Sequence, residues 1–441
     1  MKYYLAGIKG TGMSALALLL DDLGFSVVGY DDAKEHRFTE DKLIERGIKI
    51  YTEENDCMDK DTIVVYSPAL KLDSHKELIK AQKMGIKIYE YQEMLGKLTK
   101  TFDTICISGC HGKTTTTSML SHIYMDLSNC NYLIGDGRGH GTKESKKFIL
   151  ESCEYRRHFL AYDPEYVIIT NIDLDHTDYY KDIDDMISAY EQFANKASKM
   201  VIACGDDQYT HTLDIKPSIY YYGIDQDNDI QARNIEYSND GTVFDVFIED
   251  EYYGHFDLPL FGKHMLLNAL ATIAVCHYER MNAKDVANSL KTFKGAERRF
   301  KEEFIGNNVI IDDYAHHPAE VKVTIKAARQ KYPDKKIIAV FKPHTFSRVK
   351  EFAQGFANSL NLADKAYVMD INYDREDPKD YEGITPYTII DLLENGDYIE
   401  RGMAEKLLEY DNAVIVFMSS KEIYFLEDEY KKLLEDKMSK E

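Results

Sequence analysis

Residues 103 to 117 read Asp-Thr-Ile-Cys-Ile-Ser-Gly109-Cys-His-Gly112-Lys113-Thr-Thr-Thr-Thr117, so a lysine and four threonines follow two glycines and a β-branched run. Strand, glycine turn, Lys-Thr and helix, in that order, make a phosphate-binding loop. Backbone N–H groups and a helix N-terminus face the anion, Lys113 meets the outer phosphates, and Thr114 is placed to ligate Mg2+. Ile107 stands where the usual pattern has its first glycine. The competing reading of the same spacing is a strand–turn–helix with no ligand.

Other residues could serve that chemistry. Glu151 and His176 each follow an apolar run and, with Thr114, form a possible cation set. Oxygen ligands suit Mg2+, whereas a histidine is more usual with Zn2+ or Mn2+; otherwise Glu151 caps a helix and His176 is a satisfied loop histidine. Gly10, Gly12 and Ala15 meet the pattern G-x-G-x-x-A, and Asp31 lies near the distance expected of a ribose-binding acid. The alternative is a tight βα turn, with Asp31 capping a strand. His316 and His317 are adjacent, so both cannot easily face one ligand, and their spacing does not suit zinc; packing beside Pro318 is the other reading. Arg298 and Arg299 are surface arginines, or one of them bridges to phosphates. His344 and Arg348, four apart, are expected to share a helical face aimed at a carboxylate.

The elements that must position these residues follow from apolar runs and breakers. Strands are expected at 3–8, 25–30, 62–66, 86–89, 103–108, 147–150, 166–170, 201–204, 308–312, 337–341 and 366–370. Apolar helices precede Gly24 and span 266–278, and a further helix lies near 74–84. Residues 94–102 read as the join to a second domain and 219–258 as an antiparallel insert. The charged tail from Glu422 reads as a solvated helix. Most of the candidate residues then fall at strand ends, on the carboxyl edge of parallel sheets.

With 441 residues, two to four domains are expected. A net charge of −22 argues against nonspecific attraction to nucleic acid or an anionic membrane. The seven cysteines show no C-x-x-C pair, which fits reduced thiols in a cytoplasmic protein. No run of about 18 apolar residues occurs, so neither a membrane span nor a signal peptide is expected.

Taken together, Gly7-Ile-Lys-Gly-Thr-Gly-Met-Ser14, Gly109 to Thr117, Glu151-Ser-Cys-Glu-Tyr-Arg-Arg157, Thr170-Asn-Ile-Asp-Leu-Asp-His176, Arg298-Arg-Phe300, Asp312-Asp-Tyr-Ala-His-His-Pro318 and Pro343-His-Thr-Phe-Ser-Arg348 resemble the Mur ligases over essentially the whole chain. The 312–318 motif is that of the alanine-adding branch and its tripeptide-recycling relative. The resemblance implies three α/β domains: a Rossmann-like UDP-sugar domain (1–98), a P-loop-type central ATPase (99–296), and a Rossmann-like C-terminal domain (297–441) closing over the amino-acid site. It implies ATP and Mg2+ (or Mn2+) as cofactors, UDP-N-acetylmuramate and L-alanine as substrates, and a monomer or homodimer.

Carried onto matching positions, Gly10, Thr11, Gly12, Met13, Ser14, Asp31, Ser67 and Ala69 would hold the UDP-sugar. Gly109, Cys110, His111, Gly112, Lys113, Thr114, Thr115, His264, Asn268, Arg299 and Asp313 would hold ATP. Thr114, Glu151 and His176 would place the metal, and His316, His344 and Arg348 the amino acid. Lys113, Glu151, His176, His316 and Arg348 would be catalytic. The chain departs from the family pattern at Met265, where an asparagine is expected, at 372–376, at 418–421, and at Lys9, expected near a diphosphate. A NAD-dependent dehydrogenase and a noncatalytic nucleotide-binding relative are the competing readings.

Overall fold

The computed structural model describes residues 1–225, 227–296, 299–373, 376–420 and 422–439. The chain forms three α/β domains around three sheets.

The first sheet holds β1 (Lys2–Ala6), β2 (Ser26–Tyr30), β3 (Lys49–Tyr51), β4 (Thr62–Tyr66) and β5 (Lys87–Glu90), in the order β3-β2-β1-β4-β5 and all parallel. Order reverses between β1 and β4, the switch point where open α/β sheets bind ligands. Tyr4, Leu5 and Ala6 are fully buried, as expected of a strand covered on both faces. The turn after β1 feeds the helix Thr11–Asp22, buried from Met13 to Leu20. The segment 94–102, expected as the join to a second domain, is mostly helical: Tyr91–Thr99 forms a helix with a Glu90/Glu93 capping box and leads from β5 of the first sheet toward the second.

The second sheet holds β6 (Asp103–Ser108), β7 (Asn131–Leu133), β8 (Gly139–His140), β9 (Lys147–Glu151), β10 (Tyr166–Ile169), β11 (Met200–Cys204), β12 (Ile219–Gly223), β13 (Ile230–Tyr237), β14 (Thr242–Ile248) and β15 (Glu251–Leu258). Its order is β15-β14-β13-β12-β11-β10-β6-β9-β7-β8, so β6 lies between β10 and β9. The expected antiparallel insert begins later than 219, because β12 pairs parallel with both β11 and β13.

The third sheet holds β16 (Lys301–Ile305), β17 (Asn308–Asp313), β18 (Lys336–Phe341), β19 (Lys365–Val368), β20 (Gly396–Tyr398) and β21 (Ala413–Met418), ordered β16-β17-β21-β18-β19-β20. Asp313, Met418 and Phe341 lie level across β17, β21 and β18, so the segments that leave β17 and β18 share one sheet edge. The tail helix Tyr424–Met438 is not merely solvated: Leu426, Tyr430 and Leu434 join the core beneath this sheet.

The chain divides into two compact units. One contains residues 1–233, 245–256 and 267–293; the other contains 234–244, 257–266 and 294–441. The first sheet and strands β6 to β12 of the second thus share a unit, and His140 of β8 ties to Asp22 of the first sheet's helix at 3.0 Å. No helix among the described residues is long and apolar enough to cross a membrane, and the seven cysteines are free thiols.

Candidate active site

β6 is central in its sheet, and the loop that leaves it is held by its neighbours. Asn171, just past β10, accepts the His111 N–H at 2.9 Å and donates to the His111 carbonyl at 2.8 Å. Cys110 is buried, its Sγ donating to the Asp173 carbonyl at 3.0 Å, and burial pushes the thiol well above its ordinary range. Gly112 caps the helix Lys113–Leu127 in the left-handed region (φ 85). A Cβ there would lie 2.6 Å from Asn268 Oδ1, so both the backbone and the space demand glycine. Asn268, expected among the ATP-holding residues, packs on the phosphate loop, and Thr115 is buried in the helix's first turn.

Lys113 Nζ donates to the Gly109 carbonyl at 2.5 Å and lies 2.9 Å from Glu154 Oε2. Glu154 Oε1 is 3.5 Å from His176 Nε2. Burial alone would push the Glu154 carboxyl up, but Lys113 and His176 hold it below the usual range. Burial alone would lower the pKa of His176, but its hydrogen bond to Glu154 and the nearby carboxylate charges raise it. Thr114 Oγ1 donates to Glu151 Oε1 at 3.0 Å, and Gly135 N–H to Glu151 Oε2 at 2.6 Å. Burial raises the Glu151 carboxyl, against these donors and Lys113.

Lys113, Thr114, Glu151 and His176 are therefore brought to one sheet edge, but Glu154 links two of them and Glu151 does not. Sequence reasoning passed over Glu154. Its signal was present, as the second acid of Glu151-Ser-Cys-Glu154, one 3-residue step past the strand end.

At the first sheet's switch point, Gly10 caps the helix Thr11–Asp22, and Ser14 Oγ donates to the Thr11 carbonyl. A Cβ on Gly12 would lie 2.7 Å from the Tyr91 hydroxyl. Asp31 is buried and accepts from the Lys9 N–H (2.9 Å) and the Ala33 N–H (3.0 Å), so it braces the turn with both oxygens. Ser67 Oγ accepts the Ala69 N–H at 3.3 Å in the loop after β4. Lys9 is not aimed at a diphosphate. Its side chain is buried on the Ala33 and Glu35 carbonyls and pairs with Glu40 at 2.9 Å.

In the other unit, a cavity of about 100 Å³ is lined by residues that include Phe261, His264, Met265, Arg299, Phe300, Asp313 and Lys331. Burial, reinforced by Arg299, lowers the pKa of His264 to about 4, so the ring is neutral at pH 7. Its Nδ1 is buried without a hydrogen-bond partner among the described residues. Asp313 accepts from the Phe300 N–H, the Ala315 N–H and Thr324 Oγ1. Arg299 lies 3.6 Å from Glu320 and over the Tyr314 ring; Arg298 lies outside the described residues.

His317 caps the helix Pro318–Lys331, its Nδ1 accepting the Ala319 N–H, and its ring packs on Phe352. His316 lies 3.0 Å from Glu320 Oε2, with its ring 6.1 Å from that of His344. His344 and Arg348 do not share a helical face, because the helix Phe346–Leu360 begins after His344. The intervening Thr345 is strained at φ 70. Asn372 bonds both sides of that turn, and Glu376 accepts the Phe346 and Ser347 N–H groups that open the helix. Arg348 is buried in its first turn.

Three family models match in order: the Mur ligase family catalytic domain at residues 2–103, the Mur ligase middle domain at 107–276, and the Mur ligase glutamate ligase domain at 298–420. Among solved structures, the chain is similar to a UDP-N-acetylmuramate–alanine ligase of Thermotoga maritima, with 25% identity and a TM-score of 0.80 over 99% of this chain and 100% of that one. A murein peptide ligase of Psychrobacter arcticus shares the fold at 20% identity and TM-score 0.70, over 98% of each chain. A pseudomurein peptide ligase type C of Methanothermus fervidus does so at 18% and 0.68, over 99% of each.

Proposed function

We propose a specific reaction for this chain, which belongs to the Mur ligase family and is thus an ATP-dependent, amide-bond-forming ligase of peptidoglycan-precursor assembly: it joins L-alanine to the lactyl carboxylate of UDP-N-acetylmuramate. The observation that carries the reading is the Lys113–Glu154–His176 chain beside the Thr114–Glu151 pair, at the mouth of a phosphate loop. Similarity to the Thermotoga alanine ligase supports the choice of substrate.

The carboxylate attacks the γ-phosphorus of ATP and ADP leaves, giving an acyl phosphate. The alanine amine then attacks the acyl carbon, losing a proton, and phosphate leaves. A carboxylate approaching a polyanion is repelled, so positive charge must be in place first. Lys113 and the loop N–H groups supply it. Mg2+ neutralises phosphate charge when bound, and the Thr114 hydroxyl with Glu151, Glu154 and His176 forms a donor set that fits it, rich in oxygen and buried. Glu154 is the stronger candidate of the two acids, because it reaches both Lys113 and His176, while Glu151 is held by the Thr114 hydroxyl and the Gly135 N–H.

In the second unit, neutral His264 and the cavity walls suit a base and ribose, with Asp313 at the rim. Arg348 offers a fork for the amino-acid carboxylate, beside His316 and His344. We assign residues 1–98, 99–296 and 297–441 to UDP-sugar, ATP and amino acid respectively.

The test is phosphate release from ATP that requires both UDP-N-acetylmuramate and L-alanine. The tripeptide-adding reading, which the Psychrobacter likeness keeps in view, is tested by offering the tripeptide in competition. Preference for the tripeptide overturns the alanine assignment, and no release with either acceptor overturns the reaction.

A further inference from the structure

Two residues beyond Glu154 the backbone enters the left-handed region at Arg156 (φ 50, ψ 25) and stays there at Arg157 (φ 58, ψ 28). Non-glycine residues held this way gather at ligand sites, where surrounding contacts over-determine them. Contacts account for Arg157, which bonds Asp185 Oδ1 at 2.6 Å and lies over the Tyr180 ring. Arg156 differs. It is exposed, forms no ion pair among the described residues, and rests 5.3 Å from the centroid of Tyr155.

Its surroundings point in two directions. The Tyr155 ring is 4.7 Å from that of His176, which reaches Glu154 and, through it, Lys113. Tyr155 also meets His158 at 6.0 Å, and the half-buried His158 feels both Arg156 and Glu90. Glu90 ends β5 of the first sheet, and the next residue, Tyr91, lies on the Gly12 turn. Arg156 is thus an uncompensated cation at the rim between the first sheet's glycine turn and the second sheet's phosphate loop.

We propose that Arg156 binds the lactyl carboxylate of the UDP-sugar substrate, forking its two oxygens beside the phosphate loop. This rests on the reaction proposed above. Lys113 and the loop N–H groups already serve the nucleotide, and Arg156 rests on Tyr155, whose ring meets both His176 and His158. An arginine keeps its charge at any working pH and matches a carboxylate in its plane. Held there, the nucleophilic oxygen is oriented and its repulsion from the γ-phosphate reduced.

The test is calorimetric binding to the intact protein, without ATP, of UDP-N-acetylmuramate and of UDP-N-acetylglucosamine, which lacks the lactyl carboxylate. Arg156→Ala should weaken the first about 10- to 100-fold, the scale of one charge-assisted hydrogen bond, and leave the second unchanged. Arg156→Lys should recover part of the loss. Arg156→Gly removes the guanidinium while suiting the left-handed backbone, so it must show the same selective loss. Equal loss for both ligands, or none, overturns the proposal. Wild-type protein that binds neither ligand overturns the reaction itself, and the role of Arg156 with it.

Discussion

Lys113 Nζ and Glu154 Oε2 stand 2.9 Å apart, a buried ion pair built into the phosphate loop. The lysine is therefore aimed before any nucleotide arrives, and the same carboxylate turns His176 toward the site. Burying two charges is costly, so the pair is weak evidence for stability. Its value lies in placing charge.

Lys113→Ala should lower turnover at least about 10²–10³-fold, the scale of one lost transition-state donor. Glu154→Gln should lower it too and reduce the melting temperature, since removing one partner leaves a buried charge uncompensated, at about 3–5 kcal/mol. Steady-state phosphate release and calorimetry check both. Near-normal turnover in either variant contradicts the assignment.

His176 should titrate above its ordinary value of about 6.5 in wild-type protein and fall back in Glu154→Gln. A raised histidine stabilises the fold fully below the unfolded-state value, and that contribution disappears as pH rises through the folded value. An NMR titration of the imidazole signals reads this directly. An unchanged midpoint in the variant would separate His176 from Glu154.

His264 should act in the opposite sense. With its pKa lowered to about 4, the folded protein binds fewer protons than the unfolded chain between pH 4 and 6.5. Stability therefore rises with pH across that window, by up to about 3 kcal/mol, and is lost as pH falls through it. Denaturant unfolding of wild type and His264→Gln from pH 4.5 to 7 should show a steeper slope for wild type.

The adjacent histidines should separate cleanly. His317→Ala removes a helix cap and should cost about 1 kcal/mol of stability, with the KM for amino acid unchanged. His316→Ala should raise that KM and leave the melting temperature nearly unmoved. The reverse pattern would exchange their roles.

Gly112→Ala should abolish tight nucleotide binding, because the added methyl meets Asn268 at 2.6 Å in a left-handed backbone. Gly47 has a similar φ of 71 with nothing near, so Gly47→Ala should cost only about 1 kcal/mol and spare binding. Nucleotide titration with both variants distinguishes a crowded loop from mere backbone strain.

The sequence by itself determined most strands of the three sheets, though not β21 between β17 and β18, together with the phosphate loop and most of the residues gathered at the strand ends. Those signals are local: apolar runs, glycine turns and Lys-Thr spacing report on neighbours along the chain. Tertiary structure alone decided how the side chains pair. Glu154 pairs with Lys113 and His176, whereas Glu151 is occupied by Thr114 and Gly135. His317 proves to be a cap because the helix begins beside it. Lys9, which looked available for a phosphate, is buried against Glu40. The spacing of residues along a chain sets which groups approach an edge; which of them share a proton, a charge or a backbone donor depends on distances of about 3 Å between segments far apart in sequence, and only folding sets those.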